Sequence, residues 1–448
     1  MVTPRIVVAA PASGQGKTTV ATGLLAALRA RGTEVAPFKV GPDYIDPGYH
    51  RLAARRPGRN LDPVLVGEER IAPLFRHGAA GAEVSVVEGV MGLFDGRLDS
   101  PGPVAFGSTA HVAELLGAPV LLVVDAKGQG QSLAALLHGF RDFHPGVRIG
   151  GVVLNRVGSQ RHEQVLRAAA DAAGLPVLGA LPRNAALEVP SRHLGLVTAA
   201  EHGAEAVRAV DAMAEVVAAS VDLDAVVALA GTAPEPAGPV WDPAAEVEAR
   251  PGGPLIAVAG GAAFTFGYAE HAELLAAAGA RVERLDPLRD EALPPGARGV
   301  VLPGGFPEQH AAELTANTAL RREIARFAGA GGAVHAECGG LLYLAEELDG
   351  HPQCGVLPAR ARMTERLVLG YRDAVAAGDS PVFARGERVT GHEFHRTALE
   401  PGGGTQPAWF WRGGREGFAG PRLHASYLHT HPAGQPRSVQ RFVEECAR

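Results

Sequence analysis

A short apolar run, RIVVAA at 5–10, passes directly into the glycine-rich loop Ala12-Ser-Gly-Gln-Gly-Lys-Thr-Thr19 and then into an Ala/Leu-rich helical pattern over 16–31. A strand that feeds a helix through a glycine loop constrains a chain strongly. The next strand must return by crossover, which gives a parallel sheet with helices on its faces. Glycines let backbone N–H groups converge on phosphate, and the helix N-terminus adds positive potential. Gly14 and Gly16 therefore read as the cradle, with Lys17 at the terminal phosphates, Thr18 on Mg²⁺ and Thr19 beside it. The usual pattern has glycine five positions before the Gly-Lys pair; this chain has Pro11, so the loop is a variant. The plainer alternative is a glycine-rich turn that carries a surface lysine.

The alternation continues along both halves of the 448 residues, a length that suggests two domains. Strands are predicted at 5–10, 34–40, 83–88, 119–125 and 149–155, and helices at 16–31, 108–117, 129–142 and 161–173. Over 231–254 the sequence becomes TAPEPAGPVWDPAAEVEARPGGP-like, dense in proline and glycine and without period. We read 1–230 as a P-loop synthetase domain, 231–254 as an interdomain linker and 255–448 as a second α/β domain. Its strands are predicted to start at Leu255 and to recur at 299–303 and 332–336.

Polar residues gather where predicted strands end, which is where open α/β sheets bind ligands. Lys39 precedes Gly41-Pro-Asp-Tyr-Ile-Asp-Pro47, and Glu88 opens Glu88-Gly-Val-Met-Gly-Leu-Phe-Asp-Gly96. Asp43, Asp46, Glu88 and Asp95 can surround one crevice with Lys17 and Lys39. Carboxylates there would hold Mg²⁺ and lysines would offset an anionic substrate. Alternatively, Asp43 and Asp46 cap a proline turn and Glu88 only starts a loop. Asn155, at the end of the fifth predicted strand, either bonds a nucleotide base or makes a turn.

In the second half, Val334-His-Ala-Glu-Cys-Gly-Gly-Leu-Leu-Tyr-Leu344 reads as strand, sharp turn and helix. Cys338 would sit at a helix N-terminus, where the dipole lowers a thiol's pKa from ~8.5 and favours the thiolate nucleophile. The Gly339 N–H would face an oxyanion, with a second donor from the Pro303-Gly-Gly-Phe-Pro-Glu308 turn, at Gly305. A cysteine nucleophile needs an imidazole, and Ser426-Tyr-Leu-His-Thr-His-Pro432 offers His429 and His431. A buried structural cysteine is the alternative for Cys338 and the natural reading of Cys354 and Cys446.

Bulk properties exclude several classes. A formal charge of −6 with mixed signs leaves no basic footprint for nucleic acid. No apolar stretch approaches the ~20 residues of a membrane helix, and the run at 5–10 is too short for a signal-peptide core. Three cysteines make neither a disulfide framework nor a zinc pattern. A reduced, cytoplasmic enzyme is expected.

The order P-loop, GPDYIDP, VEGVMGLFDG, linker, PGGFPE, ECGGLLYL and SYLHTH resembles the cobyrinate and hydrogenobyrinate a,c-diamide synthases over essentially the whole chain. FKVGPDYIDP, VEGVMGLFDG, ARMTERLVLGYR and GHEFHRT are its most specific pieces. The resemblance implies a dethiobiotin-synthetase-like P-loop parallel-sheet domain followed by a class I, triad-type glutamine amidotransferase domain. It implies ATP and glutamine as substrates, Mg²⁺ as cofactor, and amidation of the a and c acetates of a corrin-ring polycarboxylate. Carried over, Cys338 is the nucleophile and His429 the base. His431 stands where many such glutaminases have an acidic third member, and either orients His429 or lies nearby. The resemblance also puts Lys17 and Thr18 at phosphate and metal, and Asp43, Tyr44, Glu88 and Asp95 near ATP, metal or substrate. His392 and His395 of GHEFHRT, and Arg362 and Arg366 of RMTER, look like signatures without a derivable chemistry. Those arginines either pair with corrin carboxylates or hold an interface.

Cobyric acid synthase is a rival of the same architecture, but GPDYIDP argues against it. Nickel-sirohydrochlorin diamide synthase shares more. A P-loop switch ATPase is the rival from another class, and it would not need Cys338 with His429. The sequence leaves open the metal content of the ring, the order of amidation, the route of ammonia and the oligomeric state, a homodimer included.

Overall fold

The structure is a computed structural model that describes residues 3–99, 102–183, 191–192, 195–196, 198–250 and 252–448. The chain divides into two compact units, one running through Trp241 and the other beginning at Asp242.

The first unit is built on seven strands: β1 (Arg5–Ala9), β2 (Val35–Val40), β3 (Arg59–Leu61), β4 (Val84–Glu88), β5 (Val120–Asp125), β6 (Ile149–Val157) and β7 (Val177–Pro182). They lie in the order β3-β2-β4-β1-β5-β6-β7, and every pairing is parallel. Continuous apolar runs such as RIVVA and VSVVE are buried along their whole length, as a sheet covered on both faces requires. The central strands match the expected ones to within two residues. β3 and β7 were not anticipated, because RNL carries no hydrophobic period and VLGALP is only partly buried. A separate two-stranded pair, β8 (Ser191–Arg192) and β9 (Gly195–Leu196), lies outside this sheet.

The stretch read as a linker is not free chain at its start. Trp241 is buried edge-on to His77, and the buried Arg5 guanidinium donates to Pro234 O at 2.5 Å. A short helix, Pro243–Glu246, follows with Asp242 as its cap.

The second unit has a six-stranded sheet made of β10 (Leu255–Ala259), β11 (Arg281–Leu285), β12 (Ala297–Leu302), β13 (Ala333–Glu337), β20 (Phe418–Gly420) and β21 (Leu423–Ser426). Their order is β11-β10-β12-β13-β21-β20, parallel except for β20 against β21. The sheet is therefore mixed. Between β13 and β20 the chain makes another sheet from β14 (Glu347–Leu348), β15 (His351–Pro352), β16 (Arg360–Ala376), β17 (Arg388–Glu400), β18 (Trp409–Trp411) and β19 (Gly414–Glu416). Its backbone is the long antiparallel β16–β17 hairpin, with RMTER on β16 and GHEFHRT on β17. Among the described residues, no helix is long and apolar enough to cross a membrane.

Candidate functional site: a phosphate cradle and a cysteine elbow

The cradle forms where β1, β2 and β4 end. Gly14 and Gly16 take left-handed backbone at φ 76° and 102°, which glycine adopts without steric cost. Gly16 also has no room for a side chain, since a Cβ there would meet Asn155 Nδ2 at 2.2 Å. Asn155 donates from that nitrogen to Gln15 O at 2.9 Å, so the structure places it as a brace behind the loop. Lys17 is buried, and its ammonium bonds Met91 O at 2.6 Å and Ala12 O at 3.2 Å. Burial, with help from the nearby Lys39 charge, brings Lys17 down to about 8. Thr19 is partly buried in the same first turn of the helix Lys17–Ala30.

Thr18 Oγ1 donates to Glu88 Oε1 at 2.6 Å and lies 3.4 Å from Asp46 Oδ2. Into the same group comes Lys39, whose ammonium is 2.6 Å from Asp46, 2.9 Å from Glu88 and 3.8 Å from Asp43. Burial opposes the lysine's charge, but Asp46, Glu88 and Asp43 outweigh it and hold the ammonium protonated. Burial likewise opposes ionisation of Glu88, yet Lys39 and a hydrogen bond from His50 keep it a carboxylate. Asp46 is lifted well above the ordinary carboxylate range by burial and then by its acidic neighbours Asp43 and Glu88, with the Lys39 ammonium opposing the shift. Asp43 makes the cap considered for it and also approaches Lys39. Its Oδ1 caps the helix start through the N–H groups of Ile45 and Asp46, while Oδ2 faces Lys39. Tyr44 is buried, and Asp95 accepts from Gly92 N at 3.0 Å.

Sequence reasoning missed His50. It lies one helical turn after Asp46 and bonds Glu88 Oε2 through Nε2 at 2.6 Å, fully buried. The i, i+4 spacing on the helix Asp46–Ala54 was a usable signal. The converging donors of Thr18, Glu88, Asp46 and Asp43 are all hard oxygens. Among the described residues no group of three or more His, Cys, Asp or Glu is arranged as a metal cage, so an ion here would take much of its shell from water and substrate phosphates.

In the second unit, Cys338 sits between β13 and the helix Gly339–Leu344 with φ 47° and ψ −101°, a strained turn for a non-glycine residue. Its backbone N–H is tied to Ser426 O at 2.7 Å, and its sulfur lies 4.0 Å from Phe394 O. The Gly305 backbone is so close to the elbow that a Cβ on Gly339 would stand 2.9 Å from Gly305 N. The two expected oxyanion donors are therefore neighbours.

The expected depression of the thiol's pKa is overturned. Burial pushes Cys338 well above its ordinary value, and Glu308, Glu337 and Glu393 add to the effect. A helix end contributes about 0.3–1 kcal/mol, under one pK unit, whereas full burial moves a group by up to about 3–5 units. Here the helix has only six residues, so burial wins.

His429 is fully buried and brought down to about 4, chiefly by burial. Its ring faces the Pro-Gly-Gly turn: a Cβ on Gly304 would stand 2.3 Å from His429 Cε1 and 3.2 Å from Nε2. On the other side, Nδ1 faces Glu337 Oε2 at 3.8 Å. His431 is placed differently. Its Nδ1 accepts from Ala433 N at 3.2 Å, capping the turn Pro432–Gly434, and its ring packs on Tyr268 at 4.0 Å. Glu337, the residue before Cys338, carried no expected role.

The signature strand GHEFHRT now has a place. His392 and His429 exchange two backbone hydrogen bonds of 2.9 Å, and Phe394 lends its carbonyl to the sulfur's surroundings. His395 stacks flat on Tyr427, with centroids 3.8 Å apart, and Glu393 pairs with Arg372 at 2.6 Å. Arg362 and Arg366 are exposed on β16, beside or within the bulge between Met363 and Val368, and neither has an ionic partner among the described residues.

Residues 6–197 match the family model for a CobQ/CobB/MinD/ParA nucleotide binding domain, and residues 255–436 match that for a CobB/CobQ-like glutamine amidotransferase domain. The chain is 62% identical over 449 residues to the hydrogenobyrinate a,c-diamide synthase of Mycobacterium tuberculosis, covering 99% of this chain and 98% of the relative. It is 56% identical to the protein of that name from Streptomyces coelicolor, over 99% and 97% of the two chains. It is also 45% identical to the cobyrinate a,c-diamide synthase of Gloeobacter violaceus, over 98% and 96%. With such likeness along nearly the full length of both partners, the chain belongs to the hydrogenobyrinate and cobyrinate a,c-diamide synthase family.

Proposed function

We propose that the protein is an ATP-dependent carbon–nitrogen ligase that uses glutamine to amidate the a and c acetates of hydrogenobyrinic or cobyrinic acid in cobalamin biosynthesis, acting in the cytoplasm. The observation that carries this reading is the presence, in one chain, of a phosphate cradle lined with lysines and carboxylates and of a cysteine elbow packed against the Pro-Gly-Gly turn that His429 faces.

In the second unit, the Cys338 sulfur attacks the carboxamide carbon of glutamine once the proton has left the thiol. Gly339 and Gly305 N–H groups receive the oxyanion, and His429 returns a proton to the departing ammonia. Water then cleaves the thioester, releasing glutamate. A thiol held protonated in the ligand-free pocket must lose its proton as substrate arrives, and His429 is the base that faces the turn.

In the first unit, a substrate carboxylate takes the γ-phosphoryl group of ATP. Ammonia adds to the resulting acyl phosphate and phosphate leaves. The carboxylate needs this activation because it is too poor an electrophile for ammonia. Gly14, Gly16, Lys17 and Thr19 hold the phosphates, and Lys39 offsets the anionic acetate. Thr18, Glu88 and Asp43 would hold Mg²⁺, with Asp46 alongside; the ion would neutralise charge on the phosphates.

The test is Cys338→Ala, assayed by product mass with ATP, Mg²⁺ and either ring acid. Amide formation from glutamine should vanish while that from free ammonia persists. Normal glutamine use by the variant would refute the nucleophile, and absence of any amide with the wild-type protein would refute the corrin substrate.

A further inference from the structure

We propose that Glu337 is the third member of the glutaminase triad, a positioning residue whose carboxylate holds the His429 imidazole in the tautomer that presents Nε2 to the reacting atoms. This rests on the reading of Cys338 and His429 given above.

The geometry leaves the carboxylate one orientation. Glu337 ends β13 and immediately precedes the elbow, so strand and turn fix its backbone. Its Oε1 accepts from Thr430 N at 3.2 Å and from Thr430 Oγ1 at 3.0 Å, with His335 Nε2 at 3.5 Å. That leaves Oε2 facing His429 Nδ1 at 3.8 Å. The imidazole is held as firmly, because the backbone of His429 is bonded in both directions to His392. With Nδ1 toward Glu337, the Cε1–Nε2 edge faces Gly304, next to the Gly305 and Gly339 donors. An imidazole with Nδ1–H against a carboxylate has Nε2 free to exchange protons, which is the work of a triad base. The 3.8 Å gap is longer than a hydrogen bond, and catalytic pairs of this kind often close only when substrate binds.

The surrounding charges favour the same assignment. Among the described residues, no lysine or arginine pairs with Glu337. His271 and His424, whose rings pack on His335, are driven by burial to about 4 and about 3. Burial opposes the charge of Glu337, yet the nearby His335, then His429 and His271, bring it down to about 2. The ionised carboxylate is thus available to His429 when that ring becomes an imidazolium during turnover.

The experiment compares Glu337→Gln, Glu337→Asp, Thr430→Val and Cys338→Ala in the full-length protein. Glu337→Gln should lower kcat for glutamine hydrolysis by roughly 10²–10⁴-fold, with KM for glutamine changed much less. Loss of the carboxylate should also move the acid limb of kcat/KM to lower pH, because the charge at 337 raises the pKa of His429. Thr430→Val, which removes one bond to Oε1, should cost only a few-fold and leave the limb in place. Activity with free ammonia and the melting temperature report folding. Should Glu337→Gln fail to fold, Glu337→Asp, which keeps the charge, should retain the wild-type acid limb. The proposal is overturned if Glu337→Gln keeps more than roughly a tenth of wild-type kcat, if Thr430→Val matches its loss, or if the limb shifts in the aspartate variant as well. Cys338→Ala separates the two ideas: glutamine turnover without the sulfur would sink the underlying nucleophile assignment, whatever residue 337 does.

Discussion

Glu416 is fully enclosed, and burial lifts its carboxyl to about 8 from an ordinary 4.5 despite hydrogen bonds from Ser426 and Tyr427. Its folded pKa exceeds its unfolded one. Between about 4.5 and about 8 the unfolded chain therefore ionises while the folded one keeps the proton, so stability falls as pH rises through that window. Glu416→Gln removes the titration, and its melting temperature should gain on the wild type between roughly pH 5 and pH 8. Parallel melting curves at the two ends would contradict the sign. In the cradle, His50→Ala should raise the Mg²⁺ requirement of ATP-dependent amidation several-fold. It removes the bond that orients Glu88 while leaving Thr18 and Lys39 in contact with that carboxylate. An unchanged metal titration would assign His50 to packing alone. Lys17 and Cys338 were readable in the sequence because each sits in a local motif whose spacing is its meaning. His50 and Glu337 were not, because what defines them is a partner 38 residues away for one and 92 or 93 residues away for the other.

Among the elements, the loop before the helix Lys17–Ala30 gives a sharp contrast between two glycines. Gly14 has positive φ, but a Cβ added there would meet nothing within 4 Å, so Gly14→Ala carries only backbone strain, roughly 1–2 kcal/mol. Gly16→Ala adds a collision with the Asn155 amide, itself bonded to the loop. The KM for ATP should therefore rise roughly tenfold or less at position 14 and well beyond that at position 16. Equal effects would mean the brace yields freely. The parallel strands were legible because covered strands carry near-continuous apolar runs, as VLLVVD and RIVVA do apart from one terminal charge each. The β16–β17 hairpin was not. RARMTERLVLGYRDAVA is charged and half exposed, and its register breaks at a bulge between Met363 and Val368, so no two-residue alternation survives to be read. The cis peptide at Glu400-Pro401, just after β17, had no local signature either.

At the scale of the molecule, two units carry chemistries that substitution should separate. Lys17→Met should abolish amide formation from glutamine and from ammonia alike, whereas Cys338→Ala abolishes only the first. If Lys17→Met still made amide from ammonia at the wild-type rate, the phosphate cradle would not be the site of activation. The two-domain reading of the fold followed from the break in pattern near 231–254, and the family matches fall on either side of it. What pattern did not reveal is the third sheet, which brings GHEFHRT to the elbow. Part of the join between them is main chain, through the paired amides and carbonyls of His392 and His429, beside the stack of His395 on Tyr427. Almost any residue at 392 other than proline can supply those groups. A replacement at 392 would thus leave that pairing unnoticed, and a single-residue deletion along the hairpin arm would expose it by dragging the imidazole out of line.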